Sequence, residues 1–135
     1  MDDSIILYHF TGRDHVNGIK RTGISQGVVF NGRRLFKGFI WLTSDSRFEA
    51  QNWATNYSGL CGDRTAIRLT VRVPKSRLYH WNREAHFFGF SEHELYQFNT
   101  AGYSDGEAWY LIKAPIPKES IIEIKYRNDN GKEKE

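Results

Sequence analysis

Four groups of residues in this chain have types and spacings that chemistry can use. His9 is followed by Phe10 and Thr11 at the end of the apolar run S-I-I-L-Y-H-F. A histidine there either fills a core or holds a ligand. Trp41 and Trp53 stand twelve positions apart in G-F-I-W-L-T-S-D-S-R-F-E-A-Q-N-W, residues 38 to 53. Their flat faces suit stacking on a planar ring, although both also suit a core. Glu107 opens E-A-W-Y-L-I-K directly after the turn-forming S-D-G. An acid at a strand's first residue either caps a solvated edge or acts on a substrate. Arg33 and Arg34 lie side by side just after Asn31-Gly32, which makes them the best-placed pair for an anion.

These residues need elements to hold them. Residues 4–10 are β-branched and aromatic and predict a strand. Residues 11–14 form a polar turn, Val16, Ile19 and Lys20 recur at helical spacing, and Gly23 suits a helix stop. Residues 25–37 read as a loop with room for a small hairpin. Residues 38–43 predict a strand, and Ser44-Asp45-Ser46 predicts the start of a helix, with Ser46 and Glu49 at capping-box spacing. In residues 65–73, Ile67, Leu69, Val71 and Val73 alternate with Arg68, Thr70 and Arg72. That pattern predicts one buried face and one wet, basic face. Pro74 ends the run, and residues 77–81 suit a short edge strand. A short helix is expected over 91–98, then a glycine-containing loop, a strand over 107–113 broken by Pro115 and Pro117, and a last strand over 120–127. The tail 128–135, N-D-N-G-K-E-K-E, has the composition of a disordered segment.

Strands outnumber helices and do not alternate regularly with them. The expected class is α+β, with two small sheets and few helices packed around them in one compact domain over residues 1–127. A length of 135 residues suits a single domain. Nine Phe, seven Tyr and four Trp are more rings than packing alone usually needs. The formal charge of +3 permits a polyanionic partner without demanding one. Cys61 is the single cysteine, which excludes an intrachain disulfide and a cysteine-built zinc site. The N-terminal residues lack the basic and apolar regions of a signal peptide, and no apolar run approaches a membrane span, so a cytoplasmic setting is expected. His86 and His93 flank Glu92 and lie near Glu94 without a compact ligand pattern, and no metal is expected.

Taken together, the stretches around His9, Trp41 and Glu107 resemble the ADP-ribosyltransferase superfamily in its His-Tyr-Glu branch. That branch includes diphtheria-type toxins, poly(ADP-ribose) polymerases and, more loosely, DarT-type enzymes that modify DNA. His9-Phe10-Thr11 resembles the first motif, residues 38–53 the second, and G-E-A-W-Y-L-I-K-A-P-I-P-K-E-S-I-I-E-I, residues 106–124, the third. The three occur in the family's order across residues 7–126. The resemblance implies a compact split β-sheet core and NAD+ as co-substrate. His9 would bond the adenosine-side ribose, with Phe10 and Thr11 completing that motif. Trp41 and Trp53 would sandwich the nicotinamide. Glu107 would bind the nicotinamide ribose, stabilise the oxocarbenium-like transition state and orient the acceptor. Tyr103, Ser104 and Asp105 would belong to the loop that meets the acceptor, a nucleic acid or a protein. Small proteins of this kind act as toxins or in conflicts between phages and their hosts.

The chain departs from the family in two ways. Tryptophans stand where tyrosines are common, which keeps stacking but loses the hydroxyl contacts. The domain is also short. Two other functions fit the same fold. One is an NAD+-using RNA 2′-phosphotransferase, which relies on active-site arginines and not on the glutamate. The other is a non-catalytic module that binds a nucleotide or a protein.

Overall fold

The first strand, β1 (Ser4–Thr11), forms where the sequence is richest in β-branched and aromatic residues. The computed structural model describes residues 3–30, 33–47, 66–100, 108–127 and 133–134. A single 3-10 turn (Arg13–His15) leads into α1 (Val16–Thr22), which buries Val16 and Ile19 and leaves Lys20 exposed. Gly23 ends α1 at φ +88°, where its amide donates to the Ile19 carbonyl at 2.8 Å. A side chain on Gly23 would run into the Ile116 carbonyl, so both conformation and space call for glycine.

The chain then forms a hairpin of β2 (Val28–Phe30) and β3 (Leu35–Lys37), a separate two-stranded sheet. It continues through β4 (Phe39–Thr43), β5 (Ile67–Pro74), β6 (Leu78–His80), α2 (Trp81–Glu84) with a 3-10 turn (Ala85–Phe88), and α3 (Glu92–Thr100). It closes with β7 (Trp109–Lys113), β8 (Ile121–Arg127) and the two-residue β9 (Glu133–Lys134). The larger sheet is antiparallel throughout, in the order β6-β7-β4-β1-β5-β8-β9. The protein is therefore α+β, with few helices.

The sheet divides in the middle. β1 pairs with β5 along its whole length, from Ser4 opposite Pro74 to Thr11 opposite Ile67. On its other side β1 meets β4 at one register position, Tyr8 opposite Thr43. One half is thus β6-β7-β4, the other β1-β5-β8-β9, with that one register pair between β1 and β4. Where the strand pattern suggests two small sheets, the halves form one sheet with a narrow seam, in keeping with the split core that the resemblance implies.

Two apolar clusters cover the faces. Leu7, Leu69, Val71, Ile40, Leu42 and Ile112 meet α1 on one face of both halves. Trp81, Phe88, Trp109, Leu111 and Val29 form a second cluster, with Phe39 and Trp41 packed against it. That second cluster lies on the opposite face of the β6-β7-β4 half, because alternate residues along a strand point to opposite sides. A four-residue helix followed by a 3-10 turn has too little length to show a period, which is why residues 81–88 escaped the sequence pattern. Buried Trp81 anchors the segment instead.

Three sequence expectations meet the structure differently. Arg68 and Thr70 are buried, and of the three polar positions on β5 only Arg72 lies in water. The supposedly wet face is closed there by Tyr8, Ser46 and Glu123. Residues 44–47 form an irregular turn and not yet a helix, and Glu49, the other half of the expected capping box, lies outside the described residues. A capping box does occur at Ser91 and Glu94. The Glu94 amide donates to Ser91 Oγ at 3.1 Å, and the Ser91 amide donates to the Glu94 carboxylate at 2.9 Å. Its S-x-x-E spacing is plain in the sequence. Finally, where the tail composition suggested disorder, Glu133 and Lys134 pair with Arg127 and Tyr126.

Candidate active site at the seam of the sheet

His9 follows Tyr8, which among the described residues makes the one register pair across the seam. Its side chain continues the junction where the backbones part: Nδ1 donates to the Trp41 carbonyl at 2.9 Å. A carbonyl oxygen accepts only, so the proton sits on Nδ1. Burial pushes the pKa of His9 down, the bond to Trp41 opposes that shift, and nearby His15 adds to it. The ring is therefore neutral at neutral pH, and Nε2 is a lone-pair acceptor. A sugar hydroxyl is a chemically suitable donor for that nitrogen.

The structure brings His9 to the backbone of Trp41 and not to its ring. Cross-strand neighbours share a face. His9 is opposite Leu69, and Trp41 is opposite Leu111, which belong to different clusters. The Trp41 indole donates to the Val28 carbonyl at 3.1 Å. Its ring lies edge-on to Trp81 at 4.7 Å and to Trp109 at 5.7 Å between centroids. Half-buried Trp41 is thus built into an aromatic cluster that joins β2, β4, β7 and α2. Phe10 and Thr11 are buried and sit opposite Arg68 and Ile67.

Two strands away from β1, β7 begins beside the end of β4. Thr43 is opposite Trp109, and the Ser44 amide donates to the Ala108 carbonyl at 2.9 Å. Glu107 is the residue immediately before Ala108. It lies outside the described residues, as do Trp53, Tyr103, Ser104 and Asp105. The described backbone therefore holds Ala108 against the turn that follows β4.

That turn is tightly specified. Thr43 is buried and its hydroxyl accepts from the Asp45 amide at 3.1 Å. Asp45 accepts from the Arg47 amide at 3.1 Å and pairs with the Arg47 guanidinium at 2.8 Å. The side-chain hydrogen bond from Arg47 holds the Asp45 carboxyl below its usual range, against the smaller effect of partial burial. Arg68 approaches from the other half-sheet and donates to the Ser46 carbonyl at 2.8 Å. From the sequence Arg68 belongs to a basic rim that could meet an anion, and Tyr8 has no assigned role. Nothing in an alternating strand distinguishes a buried arginine from a solvated one.

Arg33 and Arg34 lie away from this turn. Arg33 donates to the Gly89 carbonyl at 3.0 Å and pairs with Glu94 at 3.4 Å, tying the segment before β3 to the start of α3. Arg34 lies over the Phe36 ring at 5.0 Å. Both have protein partners in these positions. Among the described residues, no group of three or more His, Cys, Asp or Glu is placed to share a metal ion. No helix among them is long and apolar enough to cross a membrane.

The fold and its seam define an α+β protein built on a split antiparallel sheet. No family model matches the chain, and no curated protein matches it. Among solved structures, the fold is similar to that of EcPltA, with a TM-score of 0.57 and 17% identity, over 98% of this chain and 82% of that one. At that identity the likeness is one of fold.

Proposed function

We propose that this protein is a mono-ADP-ribosyltransferase that moves ADP-ribose from NAD+ to a macromolecule, a nucleic acid or a protein. The observation that carries the reading is His9: a neutral imidazole, oriented by the Trp41 carbonyl, next to the register pair between the two half-sheets. Such a ring offers Nε2 to a ribose hydroxyl without bringing a positive charge to the site. Glu107 supplies the carboxylate for the oxocarbenium-like transition state, and the bond between Ser44 and Ala108 brings its neighbour to the turn after β4. The chemistry asks for orientation and charge stabilisation, since nicotinamide is already a good leaving group.

The test is nicotinamide release from NAD+, followed by chromatography, in the wild type and in Glu107→Gln. Each is run alone, with single-stranded DNA, with RNA and with cell lysate. Release that requires Glu107 and rises with one acceptor supports the transferase and identifies the acceptor class. Full activity in Glu107→Gln removes the glutamate from the mechanism.

A second reading is a nucleotide-binding module without chemistry. The packing of Trp41 against Trp81 and Trp109 favours it, because that ring already has a structural use. Quenching of tryptophan fluorescence by NAD+ without turnover would select it.

A further inference from the structure

The second cluster of rings covers one face of the β6-β7-β4 half, but the same face of the β1-β5-β8 half carries a polar network. Arg68 is its centre. It is 7% exposed, on β5, opposite Phe10 of β1 and Lys125 of β8. Its guanidinium lies over the Tyr8 ring at 5.4 Å. It donates to the Ser46 carbonyl at 2.8 Å and to the Glu123 carboxylate at 3.3 Å. Glu123 also accepts from the Thr70 hydroxyl at 3.4 Å. The planar fork of arginine can serve two acceptors at once, and here its two terminal nitrogens do so.

The two acceptors belong to different parts of the fold. Glu123 lies on β8, in the same half-sheet as Arg68. The Ser46 carbonyl lies in the 43–47 turn, at the end of the other half. The seam itself provides one register pair between the halves, Tyr8 with Thr43, and the bond from His9 to Trp41. Arg68 adds a third tie, on the side of the seam where β7 begins. Its purchase on Ser46 is two residues from Ser44, whose amide holds Ala108 at 2.9 Å.

We propose that Arg68 is a positioning residue. It fixes the 43–47 turn against the β1-β5-β8 half and, through the bond from Ser44 to Ala108, sets the backbone where β7 begins. The structural half of this inference stands on the geometry alone. The catalytic half rests on the transferase reading above.

The test compares Arg68→Met, Arg68→Lys and Glu123→Gln with the wild type. The first readout is residue-resolved amide exchange in the full chain. In Arg68→Met the Ser44 and Arg47 amides exchange about tenfold faster or more, while the Leu69 and Val71 amides, in the core of β5, keep their protection. Arg68→Lys retains the charge but not the fork, and loosens the same amides. Glu123→Gln keeps an acceptor and the fold, and has a smaller effect in the same place. Unchanged exchange at Ser44 in Arg68→Met overturns the proposal, and so does loss of protection spread equally through β5.

The second readout is steady-state nicotinamide release. A misplacement of about 1 Å costs on the order of 100-fold in rate. Arg68→Met should therefore lower kcat by about tenfold to 100-fold, with KM for NAD+ changed by less than about threefold, and Arg68→Lys should not restore it. A loss confined to KM, or full rescue by lysine, overturns the catalytic half. If the wild type releases no nicotinamide under any condition, the transferase reading falls and takes the catalytic half with it. The exchange data then decide the structural half independently.

Discussion

The two halves of the sheet are built from similar strands but are finished differently. In the β6-β7-β4 half both faces carry an apolar cluster. β4 and β7 place Ile40, Leu42 and Ile112 on one side, and Trp41, Trp109 and Leu111 on the other, where Trp81 and Phe88 close the layer. In the β1-β5-β8 half one face is likewise apolar, with Leu7, Leu69 and Val71, but the other is held by Arg68, Tyr8, Thr70 and Glu123. Apolar burial is largely non-directional, so it can stabilise a half-sheet without fixing its neighbour. Charge-assisted hydrogen bonds are directional, and here they reach across the seam to a turn. The expectation is that truncation in the aromatic half costs more stability and truncation in the polar half more positioning.

The contrast can be broken most forcefully at Trp81, which is fully buried. Trp81→Ala should destabilise the protein by about 3–5 kcal/mol in denaturant unfolding, through lost burial and a cavity among the rings. Arg68→Met should cost less, about 1–3 kcal/mol, since it leaves the Ser46 carbonyl without its donor but adds apolar volume. Equal losses in the two variants would erase the proposed division of labour between the halves.

His9 sharpens the comparison at the seam itself. Its pKa is lowered in the folded protein by burial, so the unfolded chain binds the proton more readily. The stability contributed by neutral His9 is full above the unfolded value of about 6.5 and is lost as pH falls below it toward the lower folded value. Denaturant titrations at about pH 7.5 and about pH 5.5 should show this loss in the wild type and a flatter dependence in His9→Gln. An unchanged slope in the variant would assign the acid sensitivity to other groups.

The smallest effect is expected outside both halves. Ser91→Ala removes the hydroxyl that caps α3 and should cost about 1 kcal/mol, seen as faster exchange of the Glu94 amide with little change in β1 or β5. A loss as large as that of Arg68→Met would mean that α3 supports the seam.

Much of the local structure was legible in the residues. The β-branched run before His9, the stop at Gly23, the alternation in residues 67–73 and the breaks at Pro74, Pro115 and Pro117 all mark elements that formed where expected. The capping box at Ser91 was equally legible, although it was read only as part of a helix. The site was legible in part. His9 and Trp41 do meet, but through a ring nitrogen and a backbone carbonyl, which no side-chain pattern specifies. Arg68 was read as solvent-facing because an alternating strand shows which residues share a face and not what lies over that face.

The sequence by itself determined the periods, caps and breaks, because these depend on dihedral preferences and on the chemistry of residues a few positions apart. The tertiary structure decided which polar groups are buried and which proton His9 holds. Arg68 is enclosed by Tyr8, by Ser46, 22 positions away, and by Glu123, 55 positions away. The His9 proton is directed by a carbonyl 32 positions on. Burial and hydrogen-bond direction belong to the assembled environment of a group, and that environment exists only once the two half-sheets have met at Tyr8 and Thr43.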